Sequence, residues 1–157
     1  RAALVQTMQA TGSYLLYGEE RDGMLYTPEM SRRARGIELW AALRSLGRSG
    51  VDALVAGLCE NARTFARLLT AHDFRVLNDV VYNQLVVACD SPELTRATLA
   101  GIQSGGVCWC GGAVWRNEPV IRVSVCSWRT THADVERSVE AFAEARDLAR
   151  QNLTPEG

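Results

Sequence analysis

Lysine is absent from this sequence, and all 17 basic residues are arginine. Arginine keeps its proton at any ordinary pH, so no side chain of this chain can act as an amine nucleophile. Within this chain, that excludes any reaction that starts with a covalent bond between a lysine amine and a carbonyl compound.

The sequence also has few histidines, almost no net charge and no long apolar run. The two histidines are His72 and His132, and the net charge is −1 over 157 residues. This balance gives no reason to expect a nucleic-acid or acidic-membrane partner. No apolar run approaches the ~20 residues of a membrane-spanning helix, so we expect no membrane partner either. The 47% hydrophobic content is ordinary for a globular domain.

The five cysteines have irregular spacing: Cys59, Cys89, Cys108, Cys110 and Cys126. An odd number without a regular pattern is not a disulfide framework, so we interpret them as small buried hydrophobic residues. Their free thiols indicate a reducing, cytoplasmic location. Alternation along a strand would place the sulfurs of Cys108 and Cys110 on one face. A tetrahedral metal site needs two more ligands, and the histidines lie in other segments, so we expect no metal site.

Periodicity and turn residues predict an α+β fold, a small and largely antiparallel sheet covered by helices. The predicted helices are residues 31–46, 50–71, 91–105 and 131–151, and the predicted strands are residues 74–77, 80–88, 107–116 and 120–126. Ser91 and Thr131 have the side chains of helix N-caps, and Pro92 suits a first turn. In the last strand, Ile121 and Arg122 begin the two alternating faces.

The helix over residues 31–46 is unusual in two respects. Its first turn carries Arg32, Arg33 and Arg35, although a helix N-terminus repels cations. Its remaining length is apolar over most of its circumference, which predicts burial on more than one side. This pattern is consistent with a core helix whose start meets solvent, an anion or a partner surface.

Four motifs in this order resemble a known family. They are SRRARGIELWAALRSLGRSG from Ser31, LNDVVYNQ from Leu77, CWCGGAVW from Cys108 and IRVSVCSW from Ile121. Together they are similar to the C-terminal part of the pyridoxal-phosphate (PLP)-dependent group II amino acid decarboxylases. That family includes aromatic-L-amino-acid, tyrosine, histidine and glutamate decarboxylases. The resemblance covers the chain from about Tyr14 to about Ala149.

The resemblance implies the C-terminal small domain of a fold-type-I PLP enzyme. It divides the chain into a catalytic-loop and linker segment (residues 1–30), the small domain (31–152) and a tail (153–157). It also implies a homodimeric enzyme that converts an L-amino acid to its amine and CO2, with PLP as the electron sink. The family's cofactor-binding lysine lies upstream of the stretch seen here, so the chain alone should be inactive.

Site residues follow from the same resemblance. Tyr14 matches a tyrosine on a mobile loop of the family, which implies a proton donor to the substrate's Cα. The residues alone favour a half-buried packing tyrosine beside Leu15 and Leu16. Ser31 and Arg32 match a helix start near the cofactor. Arg122 is interpreted as structural, a buried arginine that needs an acidic or carbonyl partner.

A different class of protein is compatible with the same element order. The chain could be a self-standing, non-catalytic α+β module for binding or oligomerisation. The long segment over residues 17–30 counts against it, because loops of that length in a compact domain are usually functional or disordered.

Overall fold

The computed structural model describes residues 2–8, 18–19, 23–26 and 33–153. The chain forms two compact units, Arg1–Ser45 and Leu46–Gly157. The first contains a short helix α1 (Ala2–Met8), a 3₁₀ turn (Gly23–Tyr26) and the start of α2. None of the helices in the described ranges has the length and apolar character required to span a membrane.

Helix α2 (Gly36–Ala71) runs for 36 residues and contains one non-helical residue, Gly47. Gly47 has φ 61° and ψ −175°, a combination that essentially only glycine adopts. The two helices expected over residues 31–46 and 50–71 are thus separated by a kink at Gly47, directly after the expected end of the first; only the start of the second differs, because residues 48–50 are already helical. Ser31, the expected first residue of the first of these helices, lies outside the described residues.

The second unit is built on a four-stranded sheet of order β1-β2-β4-β3, with every neighbouring pair antiparallel. The strands are β1 (Arg75–Val76), β2 (Gln84–Ala88), β3 (Gly111–Trp115) and β4 (Glu118–Ser124). The predicted α+β class and antiparallel sheet are confirmed, although β1, β2 and β3 are shorter than expected. Gly111 and Gly112 pair with Arg122 and Ile121 in the ladder and begin β3.

One face of this sheet forms the core. Leu85 and Val87 on β2 and Ile121 and Val123 on β4 are buried, as their alternation predicts. They join one hydrophobic cluster with residues of α2, α3 (Pro92–Gly105) and α4 (His132–Leu153). The helices thus lie on one side of the sheet, and residues of the opposite parity lie on its outer face.

Both predicted helix starts are confirmed. The Ser91 side chain accepts a hydrogen bond of 3.1 Å from the backbone N–H of Leu94, and Gly106, with φ 70°, caps the C-terminus of α3. Thr131 and Asp134 form a reciprocal pair: the Asp134 carboxylate accepts from the Thr131 N–H at 2.9 Å, and Thr131 Oγ1 accepts from the Asp134 N–H at 3.2 Å. The Thr131 hydroxyl also donates to the Asp134 carboxylate at 2.6 Å; this bond, followed by the one from the Thr131 N–H, favours the charged carboxylate and lowers the pKa of Asp134.

Three aromatic rings occupy the centre of the core. Phe142 of α4 meets Phe65 of α2 at 5.6 Å and Phe74 at 5.9 Å, both edge to face. Beside them the guanidinium of Arg146 lies 5.0 Å from the Phe74 ring and donates to the carbonyl oxygen of His72. Arg146 is buried, and sequence reasoning missed it, although it falls four residues after Phe142 on the apolar stripe of α4.

The cysteines are free thiols, and four of the five are at least partly buried as expected. Cys126 is exposed, so the prediction was wrong there; it follows the buried Val125 and alternation directs it to the other side. Cys110 is 3% exposed, and burial raises its thiol pKa from 9.0 to about 12, with the neighbouring Cys108 adding to the effect.

Replacing Phe142 by alanine should destabilise the second unit by about 3–5 kcal/mol, because the fully buried ring leaves a cavity between two other rings. Leu148→Ala on the same helix is the matched control, since Leu148 is 59% exposed and should change stability by less than about 0.5 kcal/mol. Urea unfolding followed by circular dichroism measures both, and equal midpoints for the two variants would contradict this description of the core.

The raised pKa of Cys110 predicts a specific loss of stability in alkali. Burial favours the neutral thiol, so this contribution is fully present below pH 9.0 and is lost as pH rises towards about 12. Between pH 8 and 10.5 the wild-type chain should therefore lose more of its free energy of unfolding than Cys110→Ala does. Urea titrations across this range test the prediction, and parallel losses in the two proteins would refute it.

Candidate functional site

The outer face of the sheet has a polar centre. Arg122 lies on β4 between Val86 of β2 and Gly111 of β3, which are its direct partners in the ladder. Ser124 and Gln84 form the next pair on the same face. Since β4 is an inner strand, Arg122 lies near the middle of the sheet rather than at its edge.

Arg122 is exposed, which corrects the prediction of a buried, structural arginine. No side-chain hydrogen bond or ion pair joins it to any residue in the described ranges. Its guanidinium extends towards β3: a Cβ added to Gly111 would lie 3.9 Å from Nη2 of Arg122. The glycine thus leaves open space beside the cation.

The other charged residues of this face are arranged differently. Arg75 of β1 lies 3.3 Å from the Glu118 carboxylate, and its Nε donates to the carbonyl oxygen of Cys89 at 3.3 Å. That pair covers Ala88 and Val120, which are buried although their parity places them on the outer face. Arg75 thus has a carboxylate partner, whereas no described residue supplies one for Arg122.

Such an arrangement can bind an anion. A guanidinium presents a planar set of N–H donors that suits a carboxylate or phosphate, and it stays charged at every physiological pH. Two small residues, Gly111 and Ala113, give access to it from the β3 side. Arg122 is thus the candidate binding group that the structure adds to those suggested by the sequence.

The three site residues suggested by the sequence, Tyr14, Ser31 and Arg32, lie outside the described residues. The described part of the arginine cluster begins at Arg33, which forms an exposed ion pair with Glu38 in the first turns of α2. The Glu38 carboxylate of this pair lies near the N-terminus of α2, where a negative charge is favourable. It offsets part of the repulsion expected between the arginines and the helix dipole.

Within residues 33–153 and the shorter described ranges, no group of three or more histidine, cysteine or acidic side chains could hold a metal ion. Cys108 and Cys110 both face the core but lie just before β3 rather than within it. Burial raises the pKa of both thiols, which disfavours the thiolate that a metal would need.

The start of α2 is exposed rather than buried. Ile37, Leu39 and Trp40 are each more than 60% exposed, and Leu43 is 49% exposed. A contiguous apolar surface of this kind is rare on monomeric proteins and marks a site of interaction. The predicted burial is therefore not provided by the described part of this chain.

Comparison with known proteins finds amino acid decarboxylases both by sequence and by fold. No protein-family model matches the chain. Mouse histidine decarboxylase is 29% identical over 150 residues, which is 92% of this chain and 23% of the mouse protein. Oryza sativa TDC, in a structure with PLP and tryptamine, has a TM-score of 0.78 at 17% identity. Catharanthus roseus tryptophan decarboxylase, with L-tryptophan, has a TM-score of 0.73 at 15% identity.

Each match covers most of this chain and a minor part of the relative. Both plant structures are matched over 92% of this chain and 33% of their own length. The cofactor expected from the sequence is the one bound in the rice protein. In sequence and in fold, this chain thus resembles the C-terminal part of the PLP-dependent group II amino acid decarboxylases.

Proposed function

We propose that this chain is the C-terminal part of a PLP-dependent decarboxylase that converts an L-amino acid to its amine and CO2. The observation that carries the proposal is the joint likeness, in sequence and in fold, to decarboxylases over nearly the whole chain. In this proposal residues 1–30 are the catalytic loop and linker, residues 31–152 the small domain and residues 153–157 a tail. The complete enzyme is a cytoplasmic homodimer.

PLP, when bound, supplies an electron sink that accepts the electron pair left behind by CO2. With no lysine, this chain cannot attach the cofactor covalently, so that function belongs to another part of the enzyme. The donor chemistry of the described residues fits a different task, because the guanidinium of Arg122, which no described carboxylate pairs with, can bind a carboxylate or phosphate. On its own the chain is therefore inactive.

Arg122 binds the carboxylate of the incoming amino acid in this proposal. Three features support it: the exposed guanidinium, the lack of a carboxylate partner among the described residues and the space that Gly111 leaves beside it. An ion pair with the carboxylate stabilises the bound substrate but is weakened as the charge leaves with CO2. Its contribution therefore falls mainly on binding rather than on the chemical step.

Tyr14 donates the proton that replaces the lost carboxylate at Cα. A phenol can do this when it is positioned against the carbon, despite its high ordinary pKa. Ser31 and Arg32, at the approach to α2, contribute donors for an anionic group of the cofactor. These three assignments rest on the family resemblance of their motifs.

The exposed apolar surface of α2 supports a larger assembly. Ile37, Leu39, Trp40 and Leu43 are covered, in this proposal, by the remainder of the enzyme and by the second subunit. A self-standing module offers no reason to keep such a surface exposed to water, because its burial is worth about 25 cal/mol per Å².

In the complete enzyme, Arg122→Gln should raise KM for the amino acid by roughly 10- to 100-fold with a smaller change in kcat, as expected for a lost charged hydrogen bond. Arg122→Lys should restore part of the affinity. Arg75→Gln is the matched control, since Arg75 shares the face but is paired with Glu118. Steady-state CO2 release measures all three; an unchanged KM in Arg122→Gln would remove this role.

Tyr14→Phe in the complete enzyme should lower kcat by about 10²–10⁴-fold, the range of a positioned acid, while cofactor and substrate still bind. The ring remains and only the donor is lost, so stability should change little. A panel of amino acids, with amine and CO2 measured together, identifies the substrate and tests the proposal. Absence of decarboxylation across the panel would refute the proposed function, whereas normal turnover in Tyr14→Phe would refute only the role of Tyr14.

A further inference from the structure

Strand β3 is an unprotected edge of the sheet. It pairs only with β4, so the N–H and C=O groups of alternate residues face outwards without a strand partner in the described structure. Proteins usually protect such edges with charges, prolines or bulges. Gly111–Trp115 has the sequence GGAVW and a regular ladder, and thus has none of these. The opposite edge, β1, is only two residues long and carries Arg75.

We propose that β3 pairs with β3 of a second copy of this chain, antiparallel and centred on Ala113. In that register Gly111 lies opposite the partner copy's position 115 and Gly112 opposite its position 114. Each small residue thus faces a large one, and a glycine opposite an aromatic side chain is a favourable cross-strand pair. Within these five residues, small side chains lie opposite large ones only when the second strand runs in the reverse direction. This favours a second copy of the same strand as the partner of the β3 edge.

A cavity at this edge matches the proposed register. It has a volume of about 350 Å³ and lies between α3 and the β3–β4 hairpin, lined mainly by Leu99, Gly112, Val114, Pro119 and Val120. Gly112 cannot become larger without movement of its neighbour, because a Cβ there would be 2.9 Å from Cδ2 of Leu99. The valine at position 114 of the second copy would enter beside Gly112, and the cavity can accept its two methyl groups.

Charge also permits this pairing. Gly111–Trp115 carries no charged residue, and the reversed register places Arg116 opposite position 110, a cysteine, rather than opposite another arginine. The charged residue of the cavity lining, Arg96, lies 3.7 Å from Glu93. Val114 is 73% exposed in the single chain, so pairing would remove an apolar side chain from water on each copy.

A five-residue strand pair buries less than the ~1,200–2,000 Å² of a standard interface, so the association is weak and depends on concentration. The test uses the 157-residue chain and compares Val114→Lys with Val81→Lys. Val81 is 77% exposed and lies away from β3, so it is a matched control for added charge. Because both variants keep the apolar surface of α2, any association through that surface is the same in both.

Sedimentation equilibrium should show about tenfold or more weaker self-association for Val114→Lys than for Val81→Lys or wild type, since the lysine ammonium would lose its hydration in an apolar cavity. Hydrogen exchange should show alternate amides of β3 becoming protected as wild-type concentration rises, and not in Val114→Lys. Val114→Thr keeps strand propensity and should weaken self-association to an intermediate extent. If Val114→Lys does not fold, Val114→Thr takes its place in the comparison. Equal association of the two lysine variants, or β3 exchange independent of concentration, would overturn the proposal.

Discussion

The packing of Phe142 against Phe65 and Phe74 is the contact on which the second unit depends. These rings come from α4, α2 and the segment between α2 and β1, so one cluster joins the two longest helices to the sheet. Arg146 extends the cluster with a buried cation over the Phe74 ring and a hydrogen bond to the His72 carbonyl oxygen. This core holds α2, α3 and α4 on one side of the sheet, and Arg122 lies on the opposite face.

The two faces of the sheet link the stability of the fold to the candidate anion site. Side chains alternate along β4, so the residues that build the core fix the direction of Arg122, which must point outwards when Ile121 and Val123 point inwards. A one-residue shift in register would bury the guanidinium and expose both aliphatic side chains. The candidate anion site is therefore set by the same pairing that stabilises the fold.

Glycines lie at three positions where the backbone conformation or the space beside the backbone matters. Gly47 breaks α2 with torsion angles closed to other residues, and Gly111 and Gly112 make room for Arg122 and Leu99. Apolar residues of α2 and β3 are exposed in the described part of the chain, and these are the surfaces on which the two proposed associations depend.

The sequence by itself determined the type and order of the elements, because periodicity, the caps Ser91 and Thr131 and the alternation of β4 are local properties of the backbone. It also determined that no lysine chemistry occurs within this chain. Only the tertiary structure decided which arginine is buried: Arg146 packs on Phe74 whereas Arg122 faces outwards, the reverse of the burial expected for Arg122. Burial depends on what packs above a residue from distant parts of the chain, and local patterns carry no information about that. The same reason explains the exposed start of α2, whose apolar sequence calls for burial that the described chain does not supply.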